Sequence, residues 1–243
     1  ETREALVSVA GKCRSVWADS AFNASELIAA GVTKTRAFPL AFSPKAWDIP
    51  HDPVVFQGLS TPLTKILFVG RLAPNKCVEE LIEAFAWYHY GINRNSELIV
   101  VGSDRSCPAY FSMLRMFAGE LDLEAVSFVR YSSPAGLMAY YEKADVFVSA
   151  SRHEGYCLPL VEAMCKGVPV LARNVGGVPE AMDGAGVLFE DCSSVELAQL
   201  IHRVSTDQNL REEILASQQA RVQRAVNRPL KDEVAALLQE LIP

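Results

Sequence analysis

Short apolar runs alternate with amphipathic segments along most of the chain from about residue 65 onward. Residues 65–70 are apolar on both faces, which is typical of a strand inside a parallel sheet. The next segment places Leu81, Ile82 and Phe85 on one side, which predicts an amphipathic helix. Repetition of this pattern predicts strands at 65–70, 97–102, 126–129, 145–149, 168–172 and 186–189, and helices at 78–90, 109–119, 135–143, 158–166, 193–204, 207–226 and 230–241.

Repeated strand–helix–strand units predict an α/β fold with a doubly wound, mostly parallel sheet, because parallel strands need crossover connections. An earlier strand and helix, at 13–18 and 21–30 with Gly31 as C-cap, predict a small remnant of a second α/β domain. Residues 43–64 contain four prolines and lack a clear period, as a linker does. We therefore predict four parts, namely the tail of an upstream domain (1–42), a linker (43–64), the main domain (65–226) and a C-terminal helix (227–243).

Composition and charge narrow the class of protein. Half of the 243 residues are hydrophobic and 21% are charged, which excludes a disordered chain. A net charge of −6 without a basic block argues against binding to nucleic acid, and no apolar run is long enough to cross a membrane. Six scattered cysteines without a Cys-x-x-Cys pair predict reduced thiols in a cytoplasmic protein and no zinc site. Because the chain begins at Glu1 without a signal-peptide pattern, we expect a fragment or a processed piece.

The first candidate site is the loop after 65–70. Open α/β sheets bind ligands beyond the carboxyl ends of their strands, where loops lead into helix N-termini. This loop begins at Gly70 and carries Arg71 and Lys76 just ahead of a helix. A guanidinium and an ammonium group five residues apart can hold a diphosphate, although both can also belong to a solvated loop. The loop is not a P-loop, and the absence of Gly-x-Gly-x-x-Gly after a strand argues against a standard NAD site.

The second candidate site is the loop after 145–149, which carries two acids. Glu154 lies in the loop and Glu162 about one turn inside the next helix, whose first turn contains Pro159. A loop that curls over the helix end would turn both carboxylates toward one cavity, beside the backbone amides of 155–158. Carboxylates repel phosphate but accept hydrogen bonds from the vicinal hydroxyls of ribose or a hexose. Two simpler interpretations stay open: Glu162 can stabilise its own helix dipole, and Glu154 can be an exposed loop acid.

Together the two loops resemble the retaining glycosyltransferases of family 4 (glycosyl transferases group 1), which have the two-domain GT-B fold. Glu154 and Glu162 form the E-x7-E element of that family, and Val69-Gly-Arg-Leu-x-Pro-x-Lys76 resembles its diphosphate-binding loop. The resemblance covers roughly residues 13–225. It implies that the main domain is the Rossmann-like, nucleotide-sugar-binding C-terminal domain. It also implies that 1–42 end the acceptor-side domain, toward which the last helix crosses back.

The resemblance implies a role for each matching residue. Arg71 and Lys76 should hold the donor diphosphate and Glu154 should contact the transferred sugar, and these three are the expected catalytic residues. Glu162 should bond the ribose, and the family needs no metal and no cofactor beyond its donor. The expected substrate-binding set also includes backbone groups near Gly70, Arg130, Tyr131, Gly155, Tyr156, Cys157 and Leu158.

Three positions depart from the family pattern. Cys77, Arg130 and Cys157 stand where the family usually has glycine. If any of these positions needs a positive φ, the loop must differ there or carry strain. Arg130 either contributes to the choice of the nucleotide base or is a surface arginine without a role in binding.

The implied reaction moves a sugar from a nucleoside-diphosphate sugar to an acceptor hydroxyl with retained configuration, in polysaccharide or glycoconjugate synthesis. Residues 153–157 are similar to bacterial polysaccharide mannosyltransferases, which favours GDP-mannose as donor. A saccharide or lipid-linked acceptor should bind through the upstream domain. That domain can also place the full-length protein at the periphery of the inner membrane. The chain alone should therefore turn over little. Two alternatives stay open: a non-catalytic nucleotide-sugar-binding module, and a GT-B relative with other chemistry such as a sugar epimerase.

Overall fold

The computed structural model describes residues 2–41 and 47–239. Its strands are β1 Val16–Ala18, β2 Thr35–Ala37, β3 Thr64–Val69, β4 Ser96–Val101, β5 Val126–Val129, β6 Val146–Ser149, β7 Val170–Arg173 and β8 Val187–Phe189. Its helices are α1 Thr2–Ala10, α2 Ala21–Ala29, α3 Pro53–Gly58, α4 Val78–Gly91, α5 Pro108–Glu120, α6 Pro134–Lys143, α7 Leu158–Cys165, α8 Val178–Met182, α9 Ser194–Thr206, α10 Gln208–Val226 and α11 Leu230–Gln239. A short 3-10 turn, Pro74–Lys76, precedes α4.

Six parallel strands form the main sheet, in the order β5-β4-β3-β6-β7-β8. β3 pairs with β4 from Thr64 opposite Ser96 to Val69 opposite Val101, and its other edge pairs with β6. The chain winds outward from β3 to β5 on one side and from β6 to β8 on the other. Such a reversal is the place where open α/β sheets bind ligands, so the loops after β3 and β6 flank the predicted crevice.

The main sheet is buried on both faces, which explains its continuous apolar strands. Ile66 and Phe68 of β3 pack with α4, α5 and α9, whereas Leu67 lies in the opposite core with α6, α7 and α8. None of these three β3 side chains is more than 2% exposed. Helices on both sides therefore fix the positions at which the strand ends emerge.

A separate two-stranded unit pairs β1 with β2 in parallel and joins them through α2. The hydroxyl of Ser20 caps α2 by accepting a hydrogen bond from the Asn23 N–H at 3.0 Å. The Ala21 N–H donates to the Glu180 carboxylate at 2.7 Å, and Arg228 donates to the Pro39 carbonyl at the same distance. The small unit thus rests on α8 and on the turn between α10 and α11.

The strands and helices predicted for the main domain are confirmed to within two residues, and the structure adds elements that the pattern does not predict. These are α1, β2, α3 and α8. Against the expectation of no regular structure in the linker, α3 forms because Pro53 stands at its first position and the Asp52 carboxylate accepts hydrogen bonds from Val54 and Val55. The predicted domain limits stay predictions, and 42–46 of the linker and 240–243 of the last segment lie outside the described residues.

One predicted strand is displaced, from 168–172 to β7. The Val168 N–H instead donates to the Ala163 carbonyl at 3.0 Å, and the Val168 carbonyl accepts from the Gln218 amide at 2.8 Å. These bonds attach the residue to α7 and α10 before the strand begins.

Across residues 2–41 and 47–239, none of the helices combines the length and the apolar character that crossing a bilayer requires.

Candidate functional site

The loops that follow β3 and β6 lie side by side and are bonded to each other. The Arg152 N–H donates to the Asn75 carbonyl at 2.9 Å, and the Asn75 side-chain amide donates to the His153 carbonyl at 3.1 Å. The two strands are neighbours in the sheet, so their carboxyl ends emerge together. Both loops, which the sequence analysis assigns to one site, therefore form one wall.

Lys76 and Glu154 meet in this wall. The ammonium group of Lys76, at the end of the 3-10 turn, lies 2.6 Å and 2.7 Å from the two carboxylate oxygens of Glu154. The Lys76 side chain is 14% exposed and the Glu154 side chain 7%. Buried charges need partners because desolvation is costly, and here each group supplies the partner of the other. Their burial excludes the interpretation of Lys76 as a solvated loop residue and that of Glu154 as an exposed loop acid.

Arg71 lies on the same loop as Lys76 but is exposed. Its side chain makes no hydrogen bond or ion pair with any other residue that the structure describes. The loop itself is fixed, because the Gly70 N–H donates to the Val101 carbonyl at 3.0 Å and the Leu72 N–H donates to the Ser103 carbonyl at 2.9 Å. The structure thus leaves the Arg71 guanidinium exposed and does not bring it into contact with Lys76 or Glu154.

Glu162 is buried within α7 and has a fixed partner. Its carboxylate accepts a hydrogen bond from the Tyr141 hydroxyl at 2.7 Å. Burial raises the pKa of Glu162 above its ordinary value, and the bond from Tyr141 opposes that rise. Burial and the Glu162 charge raise the pKa of Tyr141 well above its ordinary value, so the phenol remains a donor. Glu162 therefore does more than stabilise its own helix dipole.

Cys157 lies between the two acids in the sequence, directly before α7. Burial, followed by the charge of Glu154, raises the pKa of the Cys157 thiol, while the Lys76 charge lowers it. The same thiol adds to the raised pKa of Tyr141, which holds Glu162. The contacts in the described part of the chain thus join Lys76 to Glu154 and Glu162 to Tyr141, on either side of the start of α7.

Two of the three departures from glycine have left-handed backbones. Cys77, directly before α4, has a φ of 48°, and Cys157, directly before α7, has a φ of 68°. This conformation costs an L-residue about 1 kcal/mol, so both positions carry strain that glycine would not have. Arg130 is not among the residues with a positive φ, and the replacement there introduces no such strain.

The side chain of Tyr156 points away from the crevice. It is buried, and its hydroxyl accepts a hydrogen bond from Arg221 at 2.9 Å. Only the backbone of Tyr156 can therefore reach a ligand, in line with the expected role of the loop amides. Leu158, the first residue of α7, is partly exposed, whereas Pro159 has no N–H and the Leu160 N–H donates to the Cys157 carbonyl at 3.1 Å.

The loop between Glu154 and α7 is held from two sides. The Gly177 N–H donates to the Glu154 carbonyl at 2.9 Å, and a Cβ on Gly177 would lie 1.8 Å from the Gly155 carbonyl oxygen. On the other side, Gly155 lies against Asn23, whose amide nitrogen would be 2.5 Å from a Cβ. Asn23 is fixed in turn by a hydrogen bond of 2.6 Å to Asp19. Glycine is required at 177 because two backbones approach closely there, whereas a Cβ at 155 would displace the Asn23 side chain from its bond to Asp19.

Arg130 and Tyr131 follow β5 at the same edge of the sheet. Arg130 forms an ion pair of 2.7 Å with Asp104 and lies over the Phe111 ring, 5.2 Å from its centroid. A small cavity lies here, lined by Ser103, Asp104, Arg105, Arg130 and Tyr131. The expected base-binding position is therefore a cavity with a carboxylate in its wall.

Sequence reasoning missed Arg173, which ends β7 and is buried. It donates to the Ala150 carbonyl at 3.1 Å and forms ion pairs with Glu80 and Asp191. Glu80 also pairs with Arg152 at 2.7 Å, so the network ties the end of β7 to α4 and to the Glu154 loop. An arginine at the end of an otherwise apolar strand is the signal that could have identified it. Asp104 and Tyr141 were also missed and carry no comparable signal.

Among the described residues, no group of three or more histidine, cysteine, aspartate or glutamate side chains is arranged to hold a metal ion. The expectation that the reaction needs no metal and no cofactor beyond its donor stays a prediction.

A model of the family "glycosyl transferases group 1" matches residues 56–221. The chain is 37% identical to a D-inositol 3-phosphate glycosyltransferase of Corynebacterium glutamicum (strain R) over 128 residues, 51% of this chain and 31% of that protein. It is 38% identical to a GDP-mannose-dependent alpha-mannosyltransferase of Mycolicibacterium smegmatis (strain ATCC 700084 / mc(2)155) over 112 residues, 45% of this chain and 25% of that protein. The matched region therefore spans about a third or less of the length of these curated relatives.

Solved structures resemble the chain over nearly all of its length. Anabaena Alr3699/HepE, in complex with UDP and glucose, has a TM-score of 0.81 at 24% identity, with 98% of this chain and 66% of that chain covered. A sucrose-phosphate synthase from Thermosynechococcus elongatus has the same TM-score and identity, with 98% of this chain and 61% of that chain covered. These likenesses confirm the predicted fold.

Proposed function

Because this chain belongs to the glycosyl transferases group 1 family, we propose that it binds a nucleoside-diphosphate sugar and serves in transferring the sugar to an acceptor hydroxyl. The transfer retains the anomeric configuration, as the resemblance to family 4 implies. Residues 65–226 form the donor-binding part, and the acceptor, a saccharide or a lipid-linked saccharide, binds mainly through an upstream domain.

One observation carries this proposal: Lys76 and Glu154 meet where the strand order reverses, on loops bonded directly to each other. A cation that suits phosphate and an acid that suits sugar hydroxyls are thereby placed within one hydrogen bond. A nucleotide sugar contains both groups in adjacent positions, since its sugar is attached to the diphosphate. An isolated phosphate site has no use for a carboxylate at this distance, because the two charges repel.

The roles of the residues follow from this placement. Lys76 and the exposed Arg71 offset the charge that develops on the diphosphate when the bond between the sugar and its oxygen breaks. Glu154 accepts hydrogen bonds from hydroxyls of the transferred sugar, and Glu162 accepts them from the ribose. The backbone amides of 155–158 donate to sugar and phosphate oxygens. In this scheme the fixed cations supply the positive charge, with neither a metal ion nor a cofactor.

The proposed donor is GDP-mannose, and the product belongs to a polysaccharide or glycoconjugate. The similarity of 153–157 to bacterial polysaccharide mannosyltransferases supports mannose, and one of the relatives is a GDP-mannose-dependent enzyme. We place the reaction in the cytoplasm, where nucleotide sugars are available and where the free thiols of the chain stay reduced.

Titration calorimetry of Lys76→Ala tests the proposed function. The variant should lose affinity for GDP, and much less for guanosine, because only the diphosphate contacts the ammonium group. Lys231→Ala, an exposed lysine at the start of α11, is the matched control and should change neither affinity. Circular dichroism of each variant establishes that it is folded. Equal weakening of GDP and guanosine would contradict the assignment of Lys76, and absence of binding of any nucleoside diphosphate to the native chain would contradict the function.

A further inference from the structure

The cavity at the carboxyl ends of β4 and β5 has a distinct chemical character. It has a volume of about 380 Å³ and is lined by Ser103, Asp104, Arg105, Arg130 and Tyr131. Asp104 is buried in its wall, whereas Tyr131 is 81% exposed. A buried acceptor beside an exposed aromatic face is suited to a flat heterocycle that carries N–H groups.

Asp104 is held in place as an ionised group. The Arg130 guanidinium lies 2.7 Å from one of its oxygens, and this hydrogen bond lowers the pKa of Asp104 below its ordinary value. Arg130 is itself positioned over the Phe111 ring. Asp104 is therefore an acceptor only, and a carboxylate with about four lone-pair sites can bind Arg130 and a ligand together.

This cavity adjoins the proposed diphosphate loop. The Leu72 N–H donates to the carbonyl of Ser103, one of the lining residues, and Leu72 follows Arg71 directly. The backbones of Gly70 and Gly102 are also in contact, since a Cβ on Gly102 would lie 1.8 Å from the Gly70 carbonyl oxygen. A nucleotide whose phosphates lie at Arg71 and Lys76 can therefore extend its base toward Asp104.

We propose that Asp104 selects guanine, with Arg130 beside the guanine carbonyl oxygen and Tyr131 stacked on the ring. Guanine presents two adjacent N–H donors, at N1 and N2, which match the two oxygens of a carboxylate. Uracil presents one N–H between two carbonyl oxygens, which a carboxylate repels, and adenine presents a donor next to an acceptor. This inference rests on the proposed function and deepens it, because it assigns the choice of a GDP-sugar to one residue, Asp104.

Calorimetry with GDP, UDP and inosine diphosphate on the full 243-residue chain tests the inference. A bidentate contact to a base typically discriminates by about fivefold or more, so native protein should bind GDP at least that much more tightly than UDP. Inosine diphosphate, which lacks only the N2 amino group, should bind less tightly than GDP. Asp104→Asn should reduce all these differences to about threefold or less.

Two further variants separate base selection from other effects. Asp122→Asn changes an exposed aspartate near the opposite end of β5 and should preserve the preference for GDP. Tyr131→Ala should weaken GDP and UDP by a similar factor, about tenfold, because stacking does not distinguish bases. A thermal melt of each variant verifies its fold.

The outcomes distinguish the inference from the proposed function. Native protein that binds GDP and UDP equally well, or Asp104→Asn that retains the native preference, overturns guanine selection while the proposed function stands. A native chain that binds none of the three nucleotides overturns both.

Discussion

The ammonium group of Lys76 is shared between both carboxylate oxygens of Glu154, although the two residues are 78 positions apart in the sequence. Each is the only charged group to which the other is hydrogen-bonded in the described part of the chain. The pair therefore joins the loops after β3 and β6 electrostatically, in addition to the bonds made by Asn75. Its strength should be measurable in folding as well as in binding.

A double-mutant cycle on this pair should show strong coupling. Lys76→Met leaves the Glu154 carboxylate without its partner, and we expect a loss of about 3 kcal/mol in the free energy of unfolding. Lys76→Met combined with Glu154→Gln should lose much less, because no unpaired charge remains. Urea denaturation of the native chain, both single variants and the double variant gives the coupling energy. Additive losses would show that the pair contributes nothing of its own.

At position 157, the glycine variant should be more stable than the alanine variant, which is the reverse of the order usually found inside helices. The φ of 68° disfavours any Cβ, so Cys157→Gly should be more stable than Cys157→Ala by about 1 kcal/mol. Ala220→Gly, on the exposed side of α10, is the control and should lose about 1 kcal/mol, because that residue lies inside a helix. Thermal or urea unfolding measures the differences in stability at positions 157 and 220. An alanine variant as stable as the glycine variant would show that residue 157 is not left-handed in solution.

Gly102→Ala should damage both stability and binding. The new Cβ would meet the Gly70 carbonyl oxygen, so the loop that carries Arg71 and Lys76 has to move, at a cost of about 2 kcal/mol. Affinity for GDP should fall with it. In Gly119→Ala, on α5, the added Cβ meets nothing within 4 Å, and that variant should gain about 0.5 kcal/mol with unchanged affinity. Native-like GDP binding by Gly102→Ala would refute the close backbone contact.

Glu162 should make stability depend on pH. Its pKa is raised in the folded chain, so the folded state binds the proton more tightly than the unfolded state does. The resulting stabilisation is fully present below the ordinary value of about 4.5 and is lost as the pH rises through the folded pKa.

Glu162→Gln removes this dependence, and the amide can still accept the Tyr141 hydrogen bond. The unfolding free energy of the variant relative to the native chain should therefore increase with pH from about 4.5 upward and then level off. Denaturation series at several pH values measure it, with Glu120→Gln at the exposed end of α5 as control. A difference that is flat with pH, or that falls, would contradict the raised pKa.

Periodicity predicted the main sheet well because its strands are buried on both faces and its helices have long apolar stripes. It failed for α3 and α8, which are five or six residues long and depend on local features. In α3 that feature is the Asp52 cap. Periodicity also failed for β2, a strand of three residues that contains Arg36 and exists because β1 lies beside it. Elements of this length are fixed by their neighbours rather than by their own pattern.

The candidate site was predictable to the extent that its residues follow strand ends. Lys76 and Glu154 could be placed at one edge of the sheet, because parallel neighbouring strands end together. Their direct contact, and the contact of Tyr141 with Glu162, could not, because both depend on loop and helix packing far apart in the sequence. Asp104 stayed hidden for the same reason: its significance appears only when Arg130 is seen beside it.

The contact of Gly155 with Asn23 makes the Glu154 loop a shared boundary of the two sheets. Gly177 packs against the other side of the loop, so Gly155 has a close neighbour on both sides. A rotation of the smaller unit against the larger would break the bond between Ala21 and Glu180 and would change the contact of Asn23 with Gly155. The orientation of the smaller unit and the position of Gly155, which directly follows Glu154, are therefore coupled through the Asn23 side chain.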